Sequence, residues 1–432
     1  MNIRLSKRLS GRCIFFVTVM TASGLHAQAF KASSAEADFE VLHWWSSGSE
    51  AKSVNDLKKM MKSAGYNWKD FLIAGGGGDD AMSNLKDRVN AGNPPAAAQF
   101  KTPYLQEFAA NNKLLPLDEV ANSHAWQKNI PPAVAETISW NEHVYAAPVG
   151  IHRVNWMWIN PTLFAKAGAK PPKTWDEFFV AADKIRQAGY IPLAHGAQPW
   201  QNFTLFETIA LGIGGADFYR DLLKLSPNAL QSDSMKQSLK TLRHLKNYTD
   251  SDKNRTWNDA TAMLIQRRAA VQFMGDWAKG EFINSYQKPG KDFLCLPAPQ
   301  THNAFIYTVD SFAMFSQTSS QIRQGQLTLA KLIMSPEFQR TFNLNKGSVP
   351  AVDYVDMKDF DNCGKQSKAD LATAAKLNTL VPSTSKLIVN HRDVQDVIQT
   401  VITSYWENPL MTEDQVISKL EKLSQQKPRT AY

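Results

Sequence analysis

Two adjacent tryptophans followed by a carboxylate form the first stretch of this chain with evident chemistry. His43-Trp44-Trp45-Ser46-Ser47-Gly48-Ser49-Glu50 follows an alternating apolar run, Phe39-Glu40-Val41-Leu42, and leads into helical spacing from Glu50 onward. The stretch therefore lies at a strand-to-helix turn, the carboxyl end of a strand, where α/β sheets collect ligands. An indole offers a broad apolar face and one N–H donor. A pyranose has the matching shape, with apolar C–H faces and a rim of hydroxyls, and a nearby Glu accepts charge-assisted hydrogen bonds from that rim. Neighbours on a strand point to opposite faces, so at most one of Trp44 and Trp45 is simple core.

Two further places carry chemistry. Gly275-Asp276-Trp277-Ala278 follows the apolar strand 269–274, again a strand-to-helix turn with a Trp. Asp276 reads as a helix N-cap, and Trp277 as core or ligand platform. Asp310 interrupts the apolar strand 305–315, where a carboxylate needs a partner or a shifted pKa. The run Gly75-Gly76-Gly77-Gly78-Asp79-Asp80 is not a phosphate loop. It lacks the Lys-Ser/Thr that such a loop requires, and its carboxylates would repel a phosphate. Its glycines suit a tight turn or a close backbone approach, with Asp79 or Asp80 as N-cap. None of the nine His has the spacing of a metal motif such as His-Glu-x-x-His, so no metal or cofactor is expected.

These residues need a frame to hold them. Strands at 39–44, 68–74 and 96–100 alternate with helical spacing at Val54, Leu57 and Met61, at Met82, Leu85 and Val89, and over 103–112. That β-α-β-α-β-α order predicts a parallel, helix-covered sheet. A second alternating stretch, 152–160, marks a crossing into another lobe. Thr174-Trp175-Asp176-Glu177 is a capping box opening a helix through Arg186. Further strands are expected at 190–195, 269–274, 293–296 and 305–315, with a largely helical remainder.

The chain of 432 residues has room for two or three domains. Arg4, Lys7, Arg8 and Arg12 precede the apolar run Cys13 to Met20, and Ala27-Gln28-Ala29 offers a cleavage site. Residues 1–29 therefore read as a signal peptide, which predicts an exported, periplasmic protein. Removing four basic and no acidic residues lowers the formal charge from +8 to +4. With no dense Lys/Arg run left, nucleic acid is not an expected partner. Cys295 and Cys363 remain, and an oxidising compartment favours their pairing.

Taken in order, these motifs resemble the solute-binding proteins of bacterial ABC sugar importers, closest to the glucose/mannose-binding branch. The signal peptide, the Trp44-Trp45 turn through Glu50, Ala74 to Asp79, Ala91-Gly92-Asn93-Pro94-Pro95, Gly275-Asp276-Trp277 and Lys346-Gly347-Ser348-Val349-Pro350 carry the similarity across the mature chain. The resemblance implies a periplasmic-binding-protein-like α/β fold of two lobes joined by a hinge that the chain crosses more than once. Lobe one would hold 30–148 plus 305–347, and lobe two 149–304 plus 348–432. It implies a binding protein, not an enzyme: a monomer that captures a monosaccharide, glucose or mannose, by lobe closure and hands it to a membrane permease. Carried over residue by residue, Trp44, Trp45 and Trp277 would stack on or flank the sugar ring. Glu50, Lys101, Asp310 and Lys346 would hydrogen-bond its hydroxyls. In one departure, the position after Leu380-Val381-Pro382-Ser383 where relatives carry a sugar-contacting His holds Lys386, with His391 five residues on. The sugar preference is therefore open. The alternatives are the same fold with a disaccharide, polyol or other small solute, and a secreted glycosidase using Glu50 and Asp310.

Overall fold

The computed structural model describes residues 37–100, 102–383 and 392–425. The expected signal peptide, Lys101, Lys386 and His391 lie outside them. Twelve strands are described: β1 (Ala37–His43), β2 (Tyr66–Leu72), β3 (Ala97–Phe100), β4 (Ser139–Trp140), β5 (His143–Val144), β6 (Ala146–Arg153), β7 (Trp156–Ile159), β8 (Ile191–Leu193), β9 (Ala269–Phe273), β10 (Leu294–Pro297), β11 (Phe305–Met314) and β12 (Leu380–Pro382). β4 and β5 form a small hairpin, and the rest form two sheets.

In the first sheet β1, β2 and β3 are parallel, as the alternation predicts. The sheet as a whole is mixed, because β11 runs antiparallel to both β3 and β6 and parallel to β12. β11 has β6 along one edge. On its other edge it pairs with β12 through Tyr307 and with β3 only from Ser311 onward. Between those two partners stands Asp310, where the β6 register also shifts. The second sheet has the order β10-β7-β9-β8.

The predicted strand 152–160 is two strands in different sheets. The chain crosses at Val154-Asn155, and Asn155 is buried at that point. Its amide donates to Thr301 and to the Ala304 carbonyl, both at 3.0 Å, and its Oδ1 accepts from the Ile306 backbone at 2.9 Å. One side chain thus ties the outgoing connection to the returning one, satisfying buried backbone groups that a bare crossing would leave unpaired.

Two large apolar cores follow the two sheets, one around β1, β3 and β11 and one around β7, β9 and the helix Pro199–Leu223. Val349, Ala351, Val352, Phe360 and Leu371 belong to the first core. Cys295 on β10 and Cys363 on the helix Asn362–Lys376 are disulfide-bonded, as expected for an oxidising compartment.

Candidate functional site

The site begins where β1 stops. Helix α1 (Gly48–Ser63) starts with a capping box, in which Ser47 accepts from the Glu50 backbone and Glu50 reaches back to the Ser46 and Ser47 amides at 3.2 and 3.3 Å. Those bonds use Oε2. Oε1 is paired with Lys346 Nζ at 2.5 Å, and both residues are buried. Lys346 ends the helix Pro336–Lys346, which Gly347 closes at φ +95. A Cβ there would also stand 2.5 Å from the Asp276 carbonyl, so glycine is required twice over.

The paired tryptophans divide their roles as expected, but in the turn after β1 rather than on the strand, which ends at His43. Trp45 is 1% exposed and lies between Phe312 and Phe342, with ring centroids at 5.6 and 5.0 Å. Trp44 is partly exposed, and the Gln99 side chain fixes its backbone at 3.2 Å. The glycine run makes close backbone approaches, but to indoles. A Cβ on Gly78 would lie 2.8 Å from the Trp44 ring, and one on Gly77 3.1 Å from Trp200. Neither Asp79 nor Asp80 is the N-cap of α2 (Asp79–Asn90). Gly78 holds that position at φ +93, and the two carboxylates occupy the first turn, where the helix dipole favours them.

Asp276 also departs from expectation. The helix Ala278–Asn284 has Trp277 at its N-cap position and no side-chain cap. The Asp276 carboxylate is buried and turned to β6, where it accepts from His152 Nδ1 at 2.6 Å and from the Arg153 amide at 2.8 Å. His152 Nε2 meets Asp310 Oδ2 at 3.1 Å. The partner that the sequence demanded for Asp310 is therefore a histidine clamped between two carboxylates. Burial pushes the His152 pKa down, but the charge and hydrogen bond of Asp276, with Asp310, drive it up to about 9. Burial raises the Asp310 carboxyl. The His152 hydrogen bond and charge, with Lys346, overcome that and hold it below the usual carboxylate range.

Trp44, Trp45, Glu50, Trp277, Asp310 and Lys346 all line one cavity of about 170 Å³. Lys101 and Lys386 lie outside those residues. His152, Trp200, Glu207, Trp257 and Gln399 complete the wall, and the sequence reading assigned none of them to the site. Glu207 accepts from Tyr219 at 2.6 Å and from Ser383 at 3.0 Å. Trp277 lies edge-on to His152 at 5.6 Å and 6.3 Å from Trp200. Because a water needs roughly 10–15 Å³ of such space, the cavity holds on the order of ten waters. It lies at the carboxyl ends of β1, β3 and β12, where an α/β sheet binds ligands. No group of three or more His, Cys, Asp or Glu among the described residues is arranged to hold a metal.

The bacterial extracellular solute-binding protein model matches residues 72–323, and the chain belongs to that family. It is 42% identical to a "Probable sugar-binding periplasmic protein" of Rhizobium meliloti (strain 1021), over 93% of this chain and 97% of the relative. A protein with the same description from Brucella suis biovar 1 is 43% identical over 87% of this chain and 90% of its own. Among solved structures, a chitin oligosaccharide binding protein superposes with a TM-score of 0.77 at 18% identity, covering 90% of this chain and 98% of its own. That likeness shows the two-lobe fold.

Proposed function

We propose that this protein is the periplasmic capture component of an ABC importer and takes a monosaccharide, glucose or mannose, into the cavity. The observation that carries this reading is the composition of the wall. Partly apolar indole surface stands beside an ionised Asp310 and the Glu50–Lys346 pair. That combination serves the C–H faces and the hydroxyl rim of one ring. A cavity for on the order of ten waters suits one sugar ring with a few waters to spare. The Rhizobium meliloti and Brucella suis relatives are both described as sugar-binding and periplasmic, which supports the compartment and the ligand class. No described helix is long and apolar enough to cross a membrane.

In this reading Trp44 and Trp277 flank the ring while Trp45 backs the wall from the core, and Glu50, Asp310 and Lys346 serve hydroxyls, joined by Lys101 and Lys386. The protein acts as a monomer, and ligand held by both lobes favours their closed arrangement. Lobe one comprises 30–148 plus 305–347, and the core membership of Val349 to Leu371 favours extending it.

Hydrolysis fits poorly. A glycosidase needs one carboxyl that holds a proton for the leaving group. Asp310 is held low, and the groups facing Glu50, the Lys346 ammonium and two backbone amides, are all donors, so its oxygens are placed as acceptors. A disaccharide is the second reading, favoured by the polar groups Glu207, Ser383 and Gln399 on the same wall. Thermal unfolding of ligand-stripped protein against a sugar panel tests the choice. A ligand at about a hundred times its Kd adds roughly 2.7 kcal/mol. A rise with glucose or mannose and none with disaccharides is expected; a rise with disaccharides alone favours the second reading. A shift with another solute and no sugar overturns the sugar assignment.

A further inference from the structure

We infer that His152 is a positioning residue for ligand recognition: doubly protonated between Asp276 and Asp310, it fixes Asp310 as an acceptor-only carboxylate and so requires a hydroxyl donor on the ligand there. The inference rests on the sugar-contact role proposed for Asp310.

The geometry is specific. His152 is buried on β6, and its two nitrogens meet carboxylates from two other elements, Asp276 after β9 and Asp310 within β11. Both contacts are hydrogen bonds only if both nitrogens carry protons, because ionised carboxylates can only accept. The His152 bond takes one lone pair of Asp310 Oδ2, and the Gln99 side chain also bonds this carboxylate, which leaves only acceptor lone pairs for a ligand hydroxyl. Asp310 needs this anchor more than a residue in a regular ladder would. It sits where β11 has left β12 and has not yet met β3, and where the β6 register breaks. Trp277 follows Asp276 directly and packs edge-on to the imidazole, so the same ring braces an indole of the wall.

The charged groups around His152 are Asp276, Asp310, Arg153 on its own strand, and Lys346, whose charge also acts on Asp310 and which is paired with Glu50. The two carboxylates hold the imidazolium, and its proton is lost near pH 9. One nitrogen then faces a carboxylate with no proton between them, and where that nitrogen is Nε2 the side-chain hydrogen bond left to Asp310 is that of Gln99.

The experiment pairs D-glucose titration by calorimetry from pH 6 to 10 with ring-nitrogen NMR of His152 in the ligand-free protein, for wild type, Asp310→Asn and His152→Gln. The expected NMR result is a doubly protonated ring at pH 7. A neutral ring at pH 7 overturns the inference, whatever glucose does and whether or not the variants fold. For glucose, wild-type affinity is expected to be flat to about pH 8 and to fall above 9. His152→Gln is expected to bind at least tenfold more weakly at pH 7 and to lack the alkaline fall. It should also lose its discrimination against a sugar deoxygenated at the contacted position. Full affinity and an unchanged alkaline fall in His152→Gln, with Asp310→Asn inactive, overturn the positioning role and leave the sugar contact standing. Undiminished binding by Asp310→Asn instead overturns the Asp310 contact and, with it, this inference.

Discussion

Replacing each of the two adjacent tryptophans by alanine should produce opposite defects. Trp45 is 1% exposed and held between Phe312 and Phe342, so its removal leaves a large hole in the first core. Truncation of a buried Trp costs about 3–5 kcal/mol. Trp44 is partly exposed, and its ring rests on Gly78. Its removal should cost about 1 kcal/mol of stability, with the main loss falling on ligand binding, because its surface lines the cavity. Urea unfolding followed by fluorescence and far-UV circular dichroism gives the stability of both variants, provided the two transitions coincide. Sugar titration of the folded fraction gives the affinity. Trp45→Ala should lose most of its stability margin, and any affinity loss should track the unfolded fraction. Trp44→Ala should stay folded and bind at least tenfold more weakly. If Trp44→Ala loses as much stability as Trp45→Ala, or binds as well as wild type, the division of roles read from the β1 turn is wrong.

Other perturbations address the rest of the site. Lys346→Met should cost roughly 3–5 kcal/mol, because it leaves Glu50 buried without its cation. The double variant with Glu50→Gln should recover part of that loss, as a double-mutant cycle in urea would measure. Gly78→Ala should lower the melting temperature by the equivalent of about 1–3 kcal/mol, since φ is +93 and the new methyl would meet the Trp44 ring. Reducing the Cys295–Cys363 bond, which closes a 68-residue separation, should cost about 4 kcal/mol in the chain-entropy account and lower the calorimetric midpoint. Stability should also fall on both sides of neutrality. His152, raised to about 9, contributes fully below about pH 6.5, and that contribution is lost as pH rises through 9. His195, lowered to about 4 chiefly by burial, is neutral in the fold, so stability is lost as pH drops from about 6.5 toward 4. Melting temperatures across pH should show both limbs, and His195→Asn should flatten the acid one.

Much of this was legible in the sequence where local and global signals agree. The spacing of Val54, Leu57 and Met61 points to α1, and the helix is there, opening at Gly48 through a Ser47–Glu50 box and so two residues before the expected start at Glu50. The Trp44-Trp45 turn was recognisable as one core and one exposed indole, although β1 ends at His43 and the two rings diverge in the turn rather than on the strand. Asp310 was legible as a carboxylate in need, but not its partner, since His152 lies 158 residues away and no local rule connects them. Asp276 was misread for the same reason. Its position fits an N-cap, yet a buried imidazole competes for the carboxylate and wins, because both groups are out of water where the charge-assisted bond is strongest. The alternating stretch 152–160 was read as a crossing and does pass from one sheet to the other, but as two strands broken at Asn155, where a tertiary need to stitch two connections overrides the alternation. Glu207 could have been found. It interrupts the apolar run Leu205-Phe206-Glu207-Thr208-Ile209, the same signal that singled out Asp310.

The glycine run gives the molecule an optical property of its own. Gly77 and Gly78 are consecutive, and each lies against a different indole. Trp44 comes from the β1 turn and Trp200 from the start of the helix Pro199–Leu223. Two chromophores from different elements are thus registered against a single peptide unit, and Trp200 stands 6.3 Å from a third, Trp277. Indole emission and near-ultraviolet ellipticity respond to such contacts over fractions of an ångström. The unlabelled protein should therefore report the spacing of its walls directly. Ligand-dependent changes at these contacts can be followed in real time without an attached dye.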